Sequence, residues 1–148
     1  MYPIRDDEGI YAKDVVVLKE SENNRWAPIE PVKRLSFLTV PGVKYPRCVY
    51  GREEGDPPRM KPVDAKRFAV KVRTMLQIAA LHGHDSVVLG ASGCGAWKCP
   101  PEHVAEIFRD VIAECHGAFR LVAFAIKRVP TAGERSTSNF ETFSRFLQ

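Results

Sequence analysis

Short apolar runs alternate with amphipathic stretches along most of this chain. Four runs are predominantly apolar and rich in β-branched or aromatic residues, which is typical of strands: 15–18, 35–40, 86–89 and 121–126. Of these, 15–18 and 121–126 are continuously apolar. Three stretches carry apolar residues at helical spacing, over 64–83, 101–117 and 139–147. The order strand, strand, helix, strand, helix, strand, helix predicts an α/β layered fold with a largely parallel central sheet.

Local signals refine these elements. The run at 15–18 predicts a strand buried on both faces, and the polar, proline-containing stretch 20–31 predicts a loop. Asp64 is the predicted N-cap of the first helix, and Gly83 is its predicted C-terminal stop. In the last helix, Phe140 and Phe143 are expected to face inward together with Phe146 and Leu147.

A glycine-rich segment joins the third strand to the second helix and is the main candidate site. Its residues are Gly90, Ala91, Ser92, Gly93, Cys94, Gly95, Ala96 and Trp97. Glycines let successive amide N–H groups point at one anion, and the following helix adds the positive end of its dipole. An exposed indole at Trp97 suits a sugar or base. The segment therefore predicts a phosphate-binding loop, with a ligand-free tight turn as the alternative.

The common phosphate and catalytic motifs do not fit this segment. A P-loop requires Lys and then Ser or Thr after the last glycine, where Ala96 and Trp97 stand. A dinucleotide-binding fingerprint requires a third glycine at Lys98, and a nucleophile elbow around Ser92 requires a glycine at Cys94. The loop is therefore of another kind.

The composition indicates the number of domains, the location of the protein and the charge of its ligand. The chain has 148 residues, 45% of them hydrophobic and 27% charged, which predicts one domain over 1–148. Without a signal peptide pattern or an apolar run of membrane length, we expect an intracellular protein in the cytoplasm that does not enter a membrane. The four cysteines lack disulfide or metal spacing, so reduced thiols and no metal or cofactor are expected. A net charge of +4 suits an anionic ligand and does not support nucleic-acid binding.

In parallel sheets, ligands collect where the strands end. Here those ends are Pro41 with Gly42, Gly90, and Lys127. We expect these ends to form one cleft. Arg128 and Arg135 would add positive charge to it, although each is more simply a solvated cation.

The sequence from Val87 to Trp97 resembles the C-terminal part of the microbial-type poly(ADP-ribose) glycohydrolase family, which belongs to the macrodomains. Further matching positions are Val104, Ala105, Phe108, Phe124, Ala125, Ile126, Asn139 and Phe143. The resemblance implies a three-layer macrodomain-like sandwich with a largely parallel mixed sheet, shortened at its N-terminus. It also implies that the loop wraps the diphosphate of ADP-ribose through the backbone of Gly93, Cys94, Gly95 and Ala96, and that Trp97 packs on the distal ribose.

Departures from the family pattern concern the rims and the catalytic segment. Ser92 stands where a bulky aromatic is usual, Lys98-Cys99 where Gly-Asn is usual, and Lys127 where an acid often follows the strand. The catalytic signature of the family, a glycine triplet followed by Gln-Glu-Glu, does not occur in these 148 residues. Losing a placed general acid–base typically lowers the rate about 10²–10⁴-fold, so hydrolysis by the family mechanism is not expected.

The leading hypothesis is therefore a degenerate macrodomain that binds ADP-ribose, an ADP-ribosylated protein or a related nucleotide diphosphate. One alternative is an ADP-ribosyl glycohydrolase with Glu53 or Glu54 as substitute acid, and another is a structural or interaction protein without a ligand. The adenine side would be supplied by Tyr2, Tyr11 or Phe140, or by a second copy or a partner chain that completes the pocket.

Overall fold

A computed structural model describes residues 3–51, 53, 55–128 and 138–147. Its helices are α1 (Pro62–Leu81), α2 (Pro101–Glu114) and α3 (Asn139–Phe146). Its strands are β1 (Ile10–Lys19), β2 (Pro28–Thr39), β3 (Cys48–Val49), β4 (Arg59–Met60), β5 (Ser86–Leu89) and β6 (Leu121–Phe124), and a short 3₁₀ helix covers Glu22–Asn24. No helix in these described ranges is long and apolar enough to cross a membrane.

The strands pair two by two. β1 and β2 form a long antiparallel hairpin, β3 and β4 a short antiparallel one, and β5 lies parallel to β6. The predicted α/β fold is confirmed, and its described strand pairs are mixed in direction. In β5, the carbonyls of Asp85 and Leu89 accept from the β6 side, so by strand alternation Ser86 and Val88 direct their N–H and C=O groups to the opposite edge.

The core lies between the three helices and one face of β5 and β6. Its centre is Phe108 of α2, which is fully buried and makes edge contacts with Phe68 and Phe124 and a tilted contact with Phe143. Val72, Leu76 and Val104 are also fully buried in this core. The other buried apolar residues of α1 and α2 pack with them. The other face of the β5–β6 pair is open, because Val88 is 73% exposed and Leu121 is 51% exposed.

Several local predictions need correction. The 15–18 run is a strand, as predicted, but it is not buried: Leu18 is 65% exposed. The 20–31 stretch is not all loop, since β2 starts at Pro28. Asp64 does not cap α1, whose N-cap is Lys61; its buried carboxylate instead accepts a hydrogen bond from the backbone N–H of Arg47 at 2.9 Å.

The ends of the other helices agree better with the sequence pattern. α1 ends just before Gly83, which has the left-handed φ of 76° expected of a C-terminal stop. In α3, Phe143 is buried as predicted, but Phe140 lies on the surface with the guanidinium of Arg128 over its ring. A capping box between Ser138 and Glu141 starts this helix.

The N-terminal segment is held to α1 by one carboxylate. Asp6 accepts from Nε of Arg67 at 2.8 Å and from Nζ of Lys71 at 2.6 Å, and the Lys71 side chain is only 5% exposed. These hydrogen bonds lower the pKa of Asp6 to about 2, and the bond from Arg67 has the largest effect. Because the folded pKa lies below the unfolded value, this ion pair contributes stability above pH ~4 that is lost as the pH falls towards the folded pKa.

We therefore expect Asp6→Asn to lower the free energy of unfolding by about 1–2 kcal/mol at pH 7, since it leaves Lys71 buried without its carboxylate. Between pH 4 and pH 2 the difference between the variant and the parent should shrink. Urea unfolding across this pH range measures it. Asp7→Asn is the matched control, because Asp7 forms no hydrogen bond or ion pair within the described ranges. Equal effects of the two substitutions would contradict the assignment to Asp6.

Candidate glycine-loop site

The glycine loop lies where the parallel strands β5 and β6 end. It leaves β5 after Leu89, whose carbonyl accepts from the Ala125 N–H at 2.8 Å, just beyond β6. It runs from Gly90 to Trp97 and leads into α2. The predicted position at the carboxyl edge of the parallel pair is therefore the observed one.

Hydrogen bonds within the segment fix its shape. The N–H of Ser92 donates to the Gly90 carbonyl at 2.8 Å, and that of Cys94 donates to the Ala91 carbonyl at 3.1 Å. A third bond, from Cys99 N–H to the Gly93 carbonyl at 3.0 Å, closes the segment just before α2. The loop is thus set by backbone bonds before any ligand arrives.

Six amide groups of the loop have no acceptor among the described residues: two at its start, of Gly90 and Ala91, and four in its second half. The four are the N–H groups of Gly93, Gly95, Ala96 and Trp97. The resemblance to the glycohydrolases had implied Cys94 as a donor, but the N–H of Cys94 is already bonded to Ala91, and Trp97 offers a free N–H instead. Free amides clustered on a glycine loop are the donors that an anion requires.

Gly93 holds the sharpest position in the loop. Its φ of 74° lies in the left-handed region, and a Cβ at this position would stand 2.6 Å from Sγ of Cys99. Gly95 differs, because a Cβ there would meet nothing within 4 Å. Gly93 is therefore required by the fold of the loop, whereas the space beside Gly95 is open for a ligand.

Trp97 forms one wall of the site and packs on Gly42. A Cβ at Gly42 would stand 1.7 Å from the indole ring, so only glycine allows this contact. The Trp97 carbonyl also accepts from the Tyr45 N–H at 3.0 Å. The indole remains 40% exposed. The structure thus brings together Gly42 and Trp97, the two predicted walls of the site.

We expect Gly42→Ala to push the indole of Trp97 outward, because the added methyl group takes the space of the ring. Tryptophan fluorescence in a Trp26→Phe background, which removes the other tryptophan, should shift to longer wavelength. Gly95→Ala adds the same methyl group in open space and should leave the spectrum unchanged. A red shift in both variants, or in neither, would contradict this contact.

The two cysteines at the loop, Cys94 and Cys99, are free thiols whose pKa values are raised by burial. Burial raises the pKa of Cys94 to about 12, with a further contribution from Cys99, and burial raises the pKa of Cys99 to about 11. The thiol of Cys99 donates to the Val43 carbonyl at 3.4 Å. Neither thiol is therefore a ready nucleophile near neutral pH, and both pack the base of the loop.

Lys98 shows how the family pattern applies to the end of the loop. Its φ of 57° lies in the left-handed region. Glycine is usual at this position in the family that the chain resembles, which agrees with a backbone conformation that glycine adopts without strain. The loop thus ends at a lysine whose backbone conformation favours glycine.

The other predicted site residues are less closely tied to the loop. Lys127 is exposed and follows β6 on the loop's own edge of the sheet, while Asn139 is the first residue of α3; neither makes a side-chain hydrogen bond within the described ranges. Glu53 is exposed, and its N–H donates to the carboxylate of Asp56. Three predicted residues lie outside the described residues: Tyr2, Glu54 and Arg135.

Tyr11 does not lie at the loop. Its ring stacks on His82 at 3.8 Å, and its hydroxyl lies 2.7 Å from Nε2 of His84 and 3.1 Å from Oγ of Ser36. His84 precedes β5, whereas the glycine loop follows that strand. Tyr11 is thus at the opposite end of β5 from the loop, and it lines the same cavity as Gly90, Ala91 and Ser92.

The sequence analysis missed the residues that frame the loop from the β2 side. Val43 and Tyr45, which follow β2, are these residues: the Val43 carbonyl accepts from the Cys99 thiol, and the Tyr45 N–H donates to the Trp97 carbonyl. The nearest sequence signal is the Pro41-Gly42 pair at the end of β2.

Among the described residues, no three or more His, Cys, Asp or Glu side chains lie close enough together to hold a metal ion.

Comparison with solved structures finds bacterial poly(ADP-ribose) glycohydrolases. The enzyme from Thermomonospora curvata is 28% identical with a TM-score of 0.72, and the match covers 95% of this chain and 47% of that one. Its complex with the inhibitor ADP-HPD is 26% identical with a TM-score of 0.70, covering 94% and 48%. The Deinococcus radiodurans enzyme in complex with ADP-ribose is 24% identical with a TM-score of 0.73, covering 96% and 52%.

These matches confirm the resemblance and the macrodomain-like fold. The chain spans about half the length of the glycohydrolase structures that it matches. No family model matches the sequence. No curated protein matches it either.

Proposed function

We propose that this chain, which has the macrodomain-like fold of bacterial poly(ADP-ribose) glycohydrolases over about half of their length, binds ADP-ribose or an ADP-ribosylated protein. The observation that carries the proposal is the group of four free amides on the glycine loop beside the exposed indole of Trp97. A diphosphate next to a ribose is the ligand that matches both features.

The diphosphate would be held by the backbone. Hydrogen bonds from amides to a charged oxygen are each worth about 1.5–3 kcal/mol, and the N-terminus of α2 directly follows the loop and favours negative charge. Lys127 lies on the same edge of the sheet and would add a cation. Since none of these groups reads a base, the loop would recognise phosphate and leave base recognition to other residues.

The ribose would pack against the face of Trp97. The indole is held from behind by Gly42 and keeps two fifths of its surface open. A rigid aromatic wall beside amide donors favours a sugar attached to a phosphate over free phosphate, because the ring gains apolar contact only with the sugar. This support for a ribose comes from the indole of Trp97 and does not depend on the free amides of the loop.

The comparisons add support from outside the chain. The Deinococcus radiodurans enzyme was solved with ADP-ribose and the Thermomonospora curvata enzyme with the inhibitor ADP-HPD. The part of these enzymes that this chain matches is the part where the resemblance in sequence places the diphosphate loop. Binding is proposed without hydrolysis, since the candidate acid Glu53 is exposed and, among the described residues, forms hydrogen bonds only through its backbone, to Asp56.

The affinity should be modest for the chain by itself. Micromolar binding needs about 8 kcal/mol net. Three or four charge-assisted bonds give about 5–12 kcal/mol before the loss of translational and rotational freedom is subtracted, which takes at least about 4 kcal/mol. Dissociation constants in the upper micromolar to millimolar range are therefore expected for ADP-ribose.

Isothermal calorimetry tests the proposal with ADP-ribose, AMP and ribose 5-phosphate at millimolar concentrations. ADP-ribose should bind most tightly, because it alone has both the diphosphate and the distal ribose. Gly95→Glu should weaken it at least about fivefold, since a like charge about 5 Å from the phosphate costs about 1–3 kcal/mol at an effective dielectric constant between 20 and 80.

Gly95→Ala is the matched control, because it adds a methyl group in open space and keeps the amide. It should bind nearly as the parent does. The absence of heat with ADP-ribose, or equal affinities of the parent and Gly95→Glu, would refute the proposed site.

A further inference from the structure

A histidine of α2 holds the backbone of β4 on the side that faces away from β3. In the β3–β4 hairpin, the Lys61 N–H donates to the Arg47 carbonyl at 2.7 Å. Because neighbouring residues of a strand alternate in direction, the Met60 N–H points away from β3. It donates to Nδ1 of His103 at 2.9 Å, and both residues are buried. An imidazole thus fastens β4 to α2.

This hydrogen bond fixes the protonation state of His103. A backbone N–H can only donate, so Nδ1 is the unprotonated nitrogen, and the proton of the neutral ring lies on Nε2. A second proton, on Nδ1, would place two donors face to face. The hydrogen bond would then be lost, and the buried N–H of Met60 would lack an acceptor.

The surroundings of His103 oppose that second proton. Burial lowers the pKa of His103 most, the positive charge of Arg59 lowers it further, and Glu106 acts in the opposite direction. His103 also lies in the first turn of α2, where the helix dipole disfavours a cation. The neutral imidazole is therefore part of how β4 packs on α2.

An ion pair beside the histidine is the second fastening between β4 and α2. Nη1 and Nη2 of Arg59 donate to the two carboxylate oxygens of Glu106 at 3.0 and 2.6 Å. A positive charge on His103 would repel Arg59 and attract Glu106, so it would weaken this pair. Both fastenings thus favour a neutral His103.

Other titratable groups lie on the elements that pack on β4. The hydrogen bonds from Arg59 lower the pKa of Glu106, and burial raises the pKa of Cys48 on β3. Glu106 therefore stays ionised and Cys48 stays a thiol between about pH 7.5 and about pH 5. The remaining carboxylates have partners of their own: Glu102 of α2 lies near Arg145, and Asp64 of α1 accepts from the Arg47 N–H.

We propose that His103 is a pH-sensitive latch, which fastens β4 to α2 while its imidazole is neutral and releases β4 when Nδ1 takes up a proton. Because the pKa of His103 is lowered in the folded protein, the latch is closed above the ordinary value of about 6.5. It weakens as the pH falls from there towards the folded pKa. The latch lies close to the frame of the glycine loop, since β4 pairs with β3 and Tyr45, just before β3, donates its N–H to the Trp97 carbonyl.

Hydrogen exchange of the full chain, measured by NMR at single amides and corrected for the intrinsic pH dependence of exchange, tests the latch. The opening equilibrium of the Met60 amide should rise about three- to thirtyfold between about pH 7.5 and about pH 5. About thirtyfold is the limit for a group that titrates near pH 6.5 when open and stays neutral when closed. The Ala125 amide, which donates to the Leu89 carbonyl beside β6, reports global opening and should change much less. No nucleotide is used, so failure of this test leaves the ADP-ribose proposal standing.

His103→Asn separates the imidazole from other causes, because the asparagine oxygen takes the position of Nδ1 and accepts the Met60 N–H at any pH. The pH dependence at Met60 should disappear. His116→Asn is the matched control, since His116 is exposed just beyond α2, and it should keep the dependence of the parent.

Nitrogen NMR of the parent imidazole gives the answer if His103→Asn does not fold. Nδ1 of His103 should be unprotonated at about pH 7.5 and should take up its proton in step with the opening of the Met60 amide. Equal changes at Met60 and Ala125, a pH dependence that survives His103→Asn, or a proton on Nδ1 at about pH 7.5 would each overturn the proposal.

Discussion

Replacing Phe108 with alanine is expected to lower the free energy of unfolding by about 3–5 kcal/mol, the largest effect of any single substitution considered for this chain. Phe108 is fully buried at the centre of the core. Its ring lies 5.9 Å from that of Phe68, 5.2 Å from that of Phe124 and 6.2 Å from that of Phe143. Truncation therefore leaves a cavity between α1, α2, α3 and β6 and removes three aromatic contacts.

Urea unfolding followed by circular dichroism measures this effect. Phe140→Ala is the matched control, because Phe140 carries the same side chain at the surface of α3, in contact with Arg128. Its cost should be about 1 kcal/mol or less. If Phe108→Ala is too unstable to purify, Phe108→Leu should show an intermediate loss. Equal losses at positions 108 and 140 would contradict the placement of the core.

The core could be predicted because it depends on local periodicity. The apolar stripe of α2 and the run in β6 meet in the structure much as their spacing indicates. The β1 run at 15–18 fails for a physical reason: a continuous β-branched run reports that a strand suits burial, but not which element covers it. Here that strand lies in a hairpin whose outer side is open among the described residues.

Two further errors have a related cause. Pro28 and Pro31 read as loop signals, although proline is tolerated where a strand is not required to donate, as at the start of β2. Asp64 reads as a cap because its partner, the Arg47 N–H, is far away in sequence. Local patterns predict elements, while the hydrogen-bond partners of buried polar groups depend on contacts between distant segments.

The candidate site also has a part that could be predicted from local sequence and a part that could not. The glycine loop is visible in sequence because its backbone conformation demands glycine at specific positions, as at Gly93. The framing by Val43 and Tyr45, and the bonding of the Cys94 amide within the loop, leave no local pattern.

Gly93→Ala is expected to cost about 2–5 kcal/mol of folding free energy and to remove nucleotide binding. A left-handed conformation costs an alanine roughly 1–2 kcal/mol, and crowding of a packed site typically adds about 1–3 kcal/mol. The crowding has a named cause, because the new Cβ would stand 2.6 Å from Sγ of Cys99. Moving either group shifts the backbone that carries the neighbouring free amides.

A double-mutant cycle with Cys99→Ala separates the two causes. Removing the thiol should recover the crowding part of the loss but not the backbone part, so the coupling between positions 93 and 99 should be about 1–3 kcal/mol. Gly95→Ala, with its methyl group in open space, should change stability by less than about 1 kcal/mol. Urea unfolding measures the cycle, and calorimetry with ADP-ribose measures the loss of binding. A Gly93→Ala variant as stable as Gly95→Ala would mean that the loop does not have this backbone, and the four free amides would then not form one anion site.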